Sequence, residues 1–359
     1  MLTEQESYNI EPEMVSVIMA NYNTPEEYLR PAIESILSQT YENFEFIIID
    51  DGSTNNSLEV IGSYNDKRIV LIENEQNIGI SKSRNKGLDI CKGEYMAVMD
   101  SDDICLPSRF EEQVEYLKNN KNVIVCGTFV ECIGEWEKRF SSKTISTAID
   151  DPESYRIGLL FGNRPLIAHS SAMLNRKLML EHHIRYDESY SSSLDYKLWV
   201  SCAQVADCAI LPKILLKYRV HEKQLSIAKK EIQKKNHNRV IQEQLERLYL
   251  SATEDIFRYH FILTFNTQSY DSNIKKWIKK IITANKTYKV YDHSLLKKIL
   301  WSKWTKITYY GLVNAESFGE KVRILSLLSI QYYPKLIRTA LSKWRKKRRG
   351  KKRRTDKRM

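Results

Sequence analysis

Apolar residues in the first 130 positions come in short, nearly uninterrupted runs, each closed by a polar cluster and followed by a stretch of helical spacing. MVSVIMA (14–20), FEFIII (44–49), IVLI (69–72), YMAVM (95–99) and VIVCGTFV (123–130) read as strands buried on both faces. Between the first two, Thr24 and Glu27 have capping-box spacing, and Pro31 suits the first turn of a helix carrying Ile33, Ile36 and Leu37. A second helix is predicted over 81–91, and Pro107 opens a third. Buried strands alternating with helices imply an α/β domain around a largely parallel sheet covered on both faces.

The pattern loosens over 131–230. Leu194, Leu198, Cys202 and Val205 or Ala206 recur at helical spacing, which predicts a helix over 193–206 with Asp195 in its first turn. The run 213–220 reads as a strand ending at His221. Beyond about 230 the chain is polar, rich in Tyr and helical in pattern. No internal repeat is present.

A length of 359 residues allows one large or two medium domains, and 42% hydrophobic with 28% charged residues is the balance of a soluble protein. Residues 1–13 are polar and acidic, so no secretory signal is expected. The apolar stretch from Val322 to Ile337 is broken by Arg323, Ser326, Ser329, Gln331 and Pro334, short of the roughly 18 uncharged residues of a spanning helix. Six scattered cysteines (Cys91, Cys105, Cys126, Cys132, Cys202 and Cys208) lack metal-ligand spacing and are expected to be reduced and packed, as in a cytosolic protein. The net charge of +11 has a definite location. Residues 343–359 hold twelve Lys/Arg and one Asp, and the other 342 residues are neutral overall. Behind the amphipathic stretch 322–341, this basic tail suits an anionic membrane surface, and the bland alternative is a disordered, solubilising tail. Specific nucleic-acid binding is not expected, because the basic residues form one terminal block.

The polar clusters collect where an open α/β sheet binds ligands, beyond the carboxyl ends of its strands. Asp100-Ser101-Asp102 can present two carboxylates to a hard cation such as Mn²⁺ or Mg²⁺, with a diphosphate completing the shell. Alone, Asp-x-Asp is a weak motif, and Asp103 or Ser108 can serve as helix caps. Asp51 can accept from a nucleobase imide and Gly52 permits close backbone approach, or the same residues form a turn with Ser53 capping a helix. Asn77 precedes Arg84, which can pair with phosphate oxygens or lie solvated on a helix. Asp195 suits a general base or a helix cap, and His221 a metal ligand or a surface group. The rival reading is another nucleotide-binding enzyme of Rossmann-like fold, such as a nucleotidyltransferase or dehydrogenase, and the lack of a G-x-G-x-x-G after the first strand and of a P-loop argues against it.

In order and spacing, VSVIMANYN (15–23), SILSQTYENFEFIIIDDGSTNNS (35–57), NIGISKSRNKGL (77–88), GEYMAVMDSDD (93–103), SLDYKLW (193–199) and LLKYRVHEKQLS (215–226) together resemble glycosyltransferase family 2. The resemblance covers about two thirds of the chain. It implies a GT-A fold: a Rossmann-like, mostly parallel sheet flanked by helices, here with a helical C-terminal extension. The implied organisation is a lead over 1–13 and a catalytic domain over 14–230, made of a nucleotide half (14–130) and an acceptor half (131–230). A helical region (231–342) and the tail (343–359) follow. The implied activity is inverting transfer from a UDP-sugar to a hydroxyl of a glycan or lipid-linked saccharide, in bacterial surface-polysaccharide or glycan assembly. The enzyme would be cytoplasmic and peripheral on the inner face of the membrane. By the same resemblance, Ala20, Asn21, Tyr22, Asn23, Asp51, Asn77, Arg84, Asp100 and Ser101 line the donor site. Asp102 and His221 hold Mn²⁺ or Mg²⁺, Asp195 is the base, and His169 and Ser170 contact the acceptor. Three positions depart from the family: Ala20 where Pro is frequent, Leu194 before Asp195 where Glu is usual, and Ser83 before Arg84 where Ala is usual.

Overall fold

The computed structural model describes residues 10–135, 144–145, 147–149, 151–162, 167–221, 230–265, 271–315 and 317. The amphipathic stretch 322–341 and the basic tail 343–359 lie outside the described residues, as does most of the N-terminal lead. The chain forms two compact units, Met1–Leu159 with Arg164–Val240, and Leu160–Asn163 with Ile241–Met359.

The first unit is built on a nine-stranded sheet. Its strands are β1 (Glu11–Asn21), β2 (Phe44–Asp50), β3 (Ile69–Glu73), β4 (Gly93–Asp100), β5 (Ile104–Cys105), β6 (Val123–Gly134), β7 (Thr144–Ile145), β8 (Met173–Asn175) and β9 (Asp207–Val220). Their order is β3-β2-β1-β4-β8-β6-β9-β5, with β7 paired to β6. The expected parallel sheet is the half made by β3, β2, β1 and β4. Every residue of β2 is buried, and so is Val15–Met19 of β1, because helices cover both faces. Beyond β4 the sheet becomes mixed. The three-residue β8 runs antiparallel to both β4 and β6, while β6 and β9 pair in parallel.

The helices of this unit are α1 (Glu26–Leu37), α2 (Ser57–Gly62), α3 (Ile80–Ile90), α4 (Arg109–Asn119), α5 (Pro152–Leu160), α6 (Arg176–Glu181) and α7 (Leu194–Ala203). α8 (Lys230–Glu246) runs on past the division. Two expected caps do not form. α1 starts after Pro25 without a side-chain cap, and the Thr24 hydroxyl instead lies 2.6 Å from that of Ser101. Pro31 is therefore the sixth residue of α1, inside the helix and not in its first turn. It is tolerated because the carbonyl it leaves without a donor belongs to exposed Glu27, where water can serve. Ser53 does not cap α2, since its hydroxyl donates to Asp50 at 2.7 Å. All six cysteines are free and buried, as expected.

One buried clasp fixes the end of β4. Arg109, fully buried at the start of α4, donates to the carbonyls of Val98 (3.1 Å) and Ala172 (2.9 Å), and to Gln113 (2.9 Å). Gln113 in turn donates to the Ser171 carbonyl at 2.9 Å. The guanidinium thus ties the strand that ends in Asp100 to the short 3₁₀ turn His169–Ser171.

The second unit is helical, as its pattern predicts: α9 (Glu254–Phe265), α10 (Ser272–Tyr288) and α11 (His293–Asn314). α10 buries Ile274, Trp277, Ile278 and Ile281 on one stripe. Inside this unit, His260 Nδ1 accepts from Trp277 Nε1 at 3.0 Å. No helix among the described residues is long and apolar enough to cross a membrane.

Candidate active site

Strand register brings three polar ends together. Asn21 of β1 lies opposite Asp50 of β2, and Ala20 opposite Asp100 of β4. Asn21 is buried and donates to Asp50 at 2.7 Å and to Ser53 at 3.2 Å, which braces the β2 turn. Asn23, at a φ of 55°, accepts from the Thr54 amide at 2.7 Å and caps the same loop. Tyr22, between them in sequence, is half exposed.

Asp51 organises the next loop. It accepts from the Asn74 side chain (2.9 Å) and from the backbone amides of Ile78 (2.9 Å) and Gly79 (3.0 Å). An ionised carboxylate has about four acceptor positions, so one is left. Asn77 is exposed on the loop that Asp51 holds. Gly52 is needed here, because with φ at +73° a Cβ would lie 2.6 Å from the Gln76 carbonyl carbon. The close approach that Gly52 permits is thus to the chain's own 76–77 backbone. Ser83 also finds a purpose, since its hydroxyl accepts from Asn74 at 3.1 Å.

Asp100 is the hub of the site. Its Oδ1 pairs with Nη2 of Arg84, itself only 3% exposed, and lies 3.5 Å from His169 Nδ1. Its Oδ2 accepts from the Ser170 hydroxyl at 2.7 Å. Burial alone would raise this carboxyl, but Arg84, His169 and Ser170 outweigh it and hold Asp100 well below the usual carboxylate range. Burial, with the Arg84 charge, keeps His169 below its ordinary value, and its Nε2 lies 3.0 Å from the Tyr186 hydroxyl. His169 and Ser170 therefore both face the end of β4. The Arg84 guanidinium also sits over the Tyr186 ring at 5.5 Å.

Two residues on, Asp102 Oδ2 lies 2.9 Å from His221 Nε2, both partly exposed. Arg219 donates to the Asp102 carbonyl at 2.7 Å, and its guanidinium stacks on Tyr28 at 4.5 Å. Between the two acidic centres Asp103 is fully buried, and burial with the Asp102 and Asp100 charges pushes its carboxyl well up. Its Oδ1 accepts from the Arg219 amide at 2.7 Å, which ties this turn to β9. Tyr186 and Arg219 also belong to this arrangement, Tyr186 outside every quoted segment and Arg219 inside LLKYRVHEKQLS (215–226). For Arg219 a signal existed, because it lies two positions before His221 and so shares a strand face with it.

Asp195 lies in the first turn of α7, half-buried, after Ser193 at a φ of 55°. No group among the described residues hydrogen-bonds its carboxylate. Its charge acts on His169 and Tyr186, the same two groups that lie beside Asp100 and Arg84.

A model of glycosyl transferase family 2 matches residues 16–182. An uncharacterised glycosyltransferase of Methanocaldococcus jannaschii is 39% identical over 217 residues, which cover 58% of this chain and 71% of that protein. The amylovoran biosynthesis glycosyltransferase AmsE of Erwinia amylovora is 29% identical over 210 residues, covering 57% of this chain and 76% of its own length. Among solved structures, residues 1–349 of S. aureus TarS in complex with UDP-GlcNAc align with a TM-score of 0.54 at 18% identity, over 82% of this chain and 88% of that one. The complex of the same fragment with UDP gives 0.52 at 19% identity, over 82% and 87%.

Proposed function

The chain belongs to glycosyl transferase family 2 and has the GT-A fold, and from that premise we propose that it moves a sugar from a UDP-sugar to a hydroxyl of a glycan acceptor, with inversion. The observation that carries this reading is the division of labour among the carboxylates. Asp195 has no hydrogen-bond partner among the described residues, while Asp100 is held by Arg84 and Asp102 by His221. A free carboxylate is suited to take a proton, and carboxylates matched to basic groups are suited to a diphosphate and its counter-ion.

In this mechanism Asp195 removes the proton of the acceptor hydroxyl as that oxygen attacks the anomeric carbon. The bond from that carbon to the diphosphate oxygen breaks, and UDP leaves with the electron pair. Arg84 offers its guanidinium to the leaving diphosphate, and His169 and Ser170 steady Asp100. On the nucleotide side, Asp51 keeps one acceptor position for the uracil imide, with Ala20, Asn21, Tyr22, Asn23, Asn77 and Ser101 forming the surrounding wall. The TarS complexes with UDP and UDP-GlcNAc support the choice of UDP.

A Mn²⁺ or Mg²⁺ ion fits the residues present. Asp102 and His221 offer one oxygen and one nitrogen at 2.9 Å from each other, and no cluster of three or more His, Cys, Asp or Glu groups occurs among the described residues. Two protein donors suit an ion that completes its shell with phosphate and water. When bound, it would neutralise charge on the departing diphosphate.

The acceptor we favour is lipid-linked, in surface-polysaccharide or glycan assembly, a setting supported by the name of AmsE. The enzyme would work in the cytoplasm, held to the membrane by the tail 343–359. The primary test is UDP release from a panel of UDP-sugars with Mn²⁺ or Mg²⁺. Metal-dependent release from one donor, lost in Asp102→Ala, supports the reading. No release, together with no thermal shift by UDP, would overturn it.

A further inference from the structure

The neutrality of residues 1–342 hides a strong polarity. Residues 1–271 hold thirty Lys/Arg against 41 Asp/Glu, a net −11, whereas residues 272–315 hold ten Lys and one Asp, a net +9. The two carboxylates that flank α10 and α11 are engaged locally. Asp271 caps α10 through the Asn273 amide at 2.8 Å and pairs with Arg258, and Asp292 caps α11 through the Leu295 amide at 2.6 Å.

α10 concentrates this charge on one face. Ile274, Trp277, Ile278 and Ile281 are buried, and Lys276, Lys279, Lys280 and Lys286 are exposed on the opposite arc. None of these four ammonium groups has a carboxylate within ion-pair distance among the described residues. Like charges three and four residues apart destabilise a helix, and of these four, among the described residues, only Lys280 has a local contact that offsets this, its Nζ lying 5.8 Å from the Trp277 ring centroid. At the C-terminal end of the stripe, Tyr288 stacks on Tyr249 with ring centroids 4.2 Å apart, and the two rings stay 45% and 76% exposed.

We propose that this lysine face of α10 is a docking surface for an anionic phospholipid membrane. It is separate from the tail in sequence and does not depend on the donor assignment. The four lysines, from Lys276 to Lys286, share the broad arc of α10 that faces away from its buried stripe, and a flat surface of headgroups can meet such an arc. Lysines act as point charges towards a diffuse anionic surface, whereas the forked guanidinium of Arg is what reads single phosphates and bases. A nucleic acid is disfavoured because stacked tyrosines already cover one face of each ring, where a base would stack.

The test uses the full chain, tail included. Lys276→Gln, Lys279→Gln, Lys280→Gln and Lys286→Gln are combined, and flotation is measured at about 0.15 M salt on phosphatidylcholine vesicles with and without phosphatidylglycerol. The expected result is a loss of roughly tenfold or more in partitioning to the anionic vesicles, with the four Lys→Arg changes restoring it. The Gln variant should melt no lower than wild type, since it relieves repulsion. Undiminished binding, absence of wild-type binding to anionic vesicles, or a loss confined to an oligonucleotide would each overturn the proposal. UDP binding by thermal shift reports separately on the catalytic reading and should not change.

Discussion

His221 Nε2 lies 2.9 Å from Asp102 Oδ2, joining the residue after β9 to the turn after β4 across 119 positions. If the two are a metal pair, each should be indispensable and neither should affect folding much. Asp102→Ala and His221→Ala are each expected to lower kcat/KM by about a hundredfold or more, the scale of an electrostatic contact made in the transition state. Titration of Mn²⁺ against UDP release checks this, because the metal requirement should rise in His221→Ala.

Asp195→Asn keeps the shape of the side chain and removes its basicity. The expected loss in kcat is about 10²–10⁴-fold, with the KM for the donor nearly unchanged, because the proposed donor residues lie at strand ends and Asp195 lies on α7. Near wild-type turnover would show that another group takes the proton.

Gly52→Ala puts a methyl group where φ is +73° and the Gln76 backbone is 2.6 Å away. The expected cost is about 1–3 kcal/mol, read as a lower urea midpoint. The donor KM should rise as well, because the same loop presents Asp51 and Asn77.

The helical unit should lose stability in acid through His260. Burial, with the charge of Lys303, pushes this imidazole down to about 3 from an ordinary value of 6.5, and its neutral Nδ1 accepts from Trp277. Between pH 6.5 and 3 the unfolded chain binds a proton that the folded unit refuses, so stability falls as pH falls, by at most about 1.4 kcal/mol per unit. Urea unfolding followed by Trp fluorescence over that range should show the slope, and His260→Phe should flatten it.

The parallel half of the sheet was legible because strands buried on both faces leave continuous apolar runs, as in FEFIII and YMAVM. β8 was not legible, since three residues carry no period and gain their pairing only from β4 and β6. The carboxylates at 100 and 102 could be found from their position after a strand. The groups around them could not be found as a set, because the fold brings Tyr186 to Arg84 across 102 positions and Arg219 to the Asp102 carbonyl across 117. The Thr24–Glu27 cap failed for a related reason, since a long-range contact with Ser101 won over the local bond.

The insertion of β8 between β4 and β6 sets a condition on synthesis. A chain emerging from the ribosome completes β4 at Asp100, yet the strand that covers its open edge ends at Asn175, about 75 residues later. At roughly 5–20 residues per second, that edge stays unpaired for about 4–15 seconds. During this interval the nascent protein exposes an apolar strand ready to pair with a neighbouring chain. Slow translation through residues 101–175 would therefore lower the yield of this enzyme without altering a single contact of its finished fold.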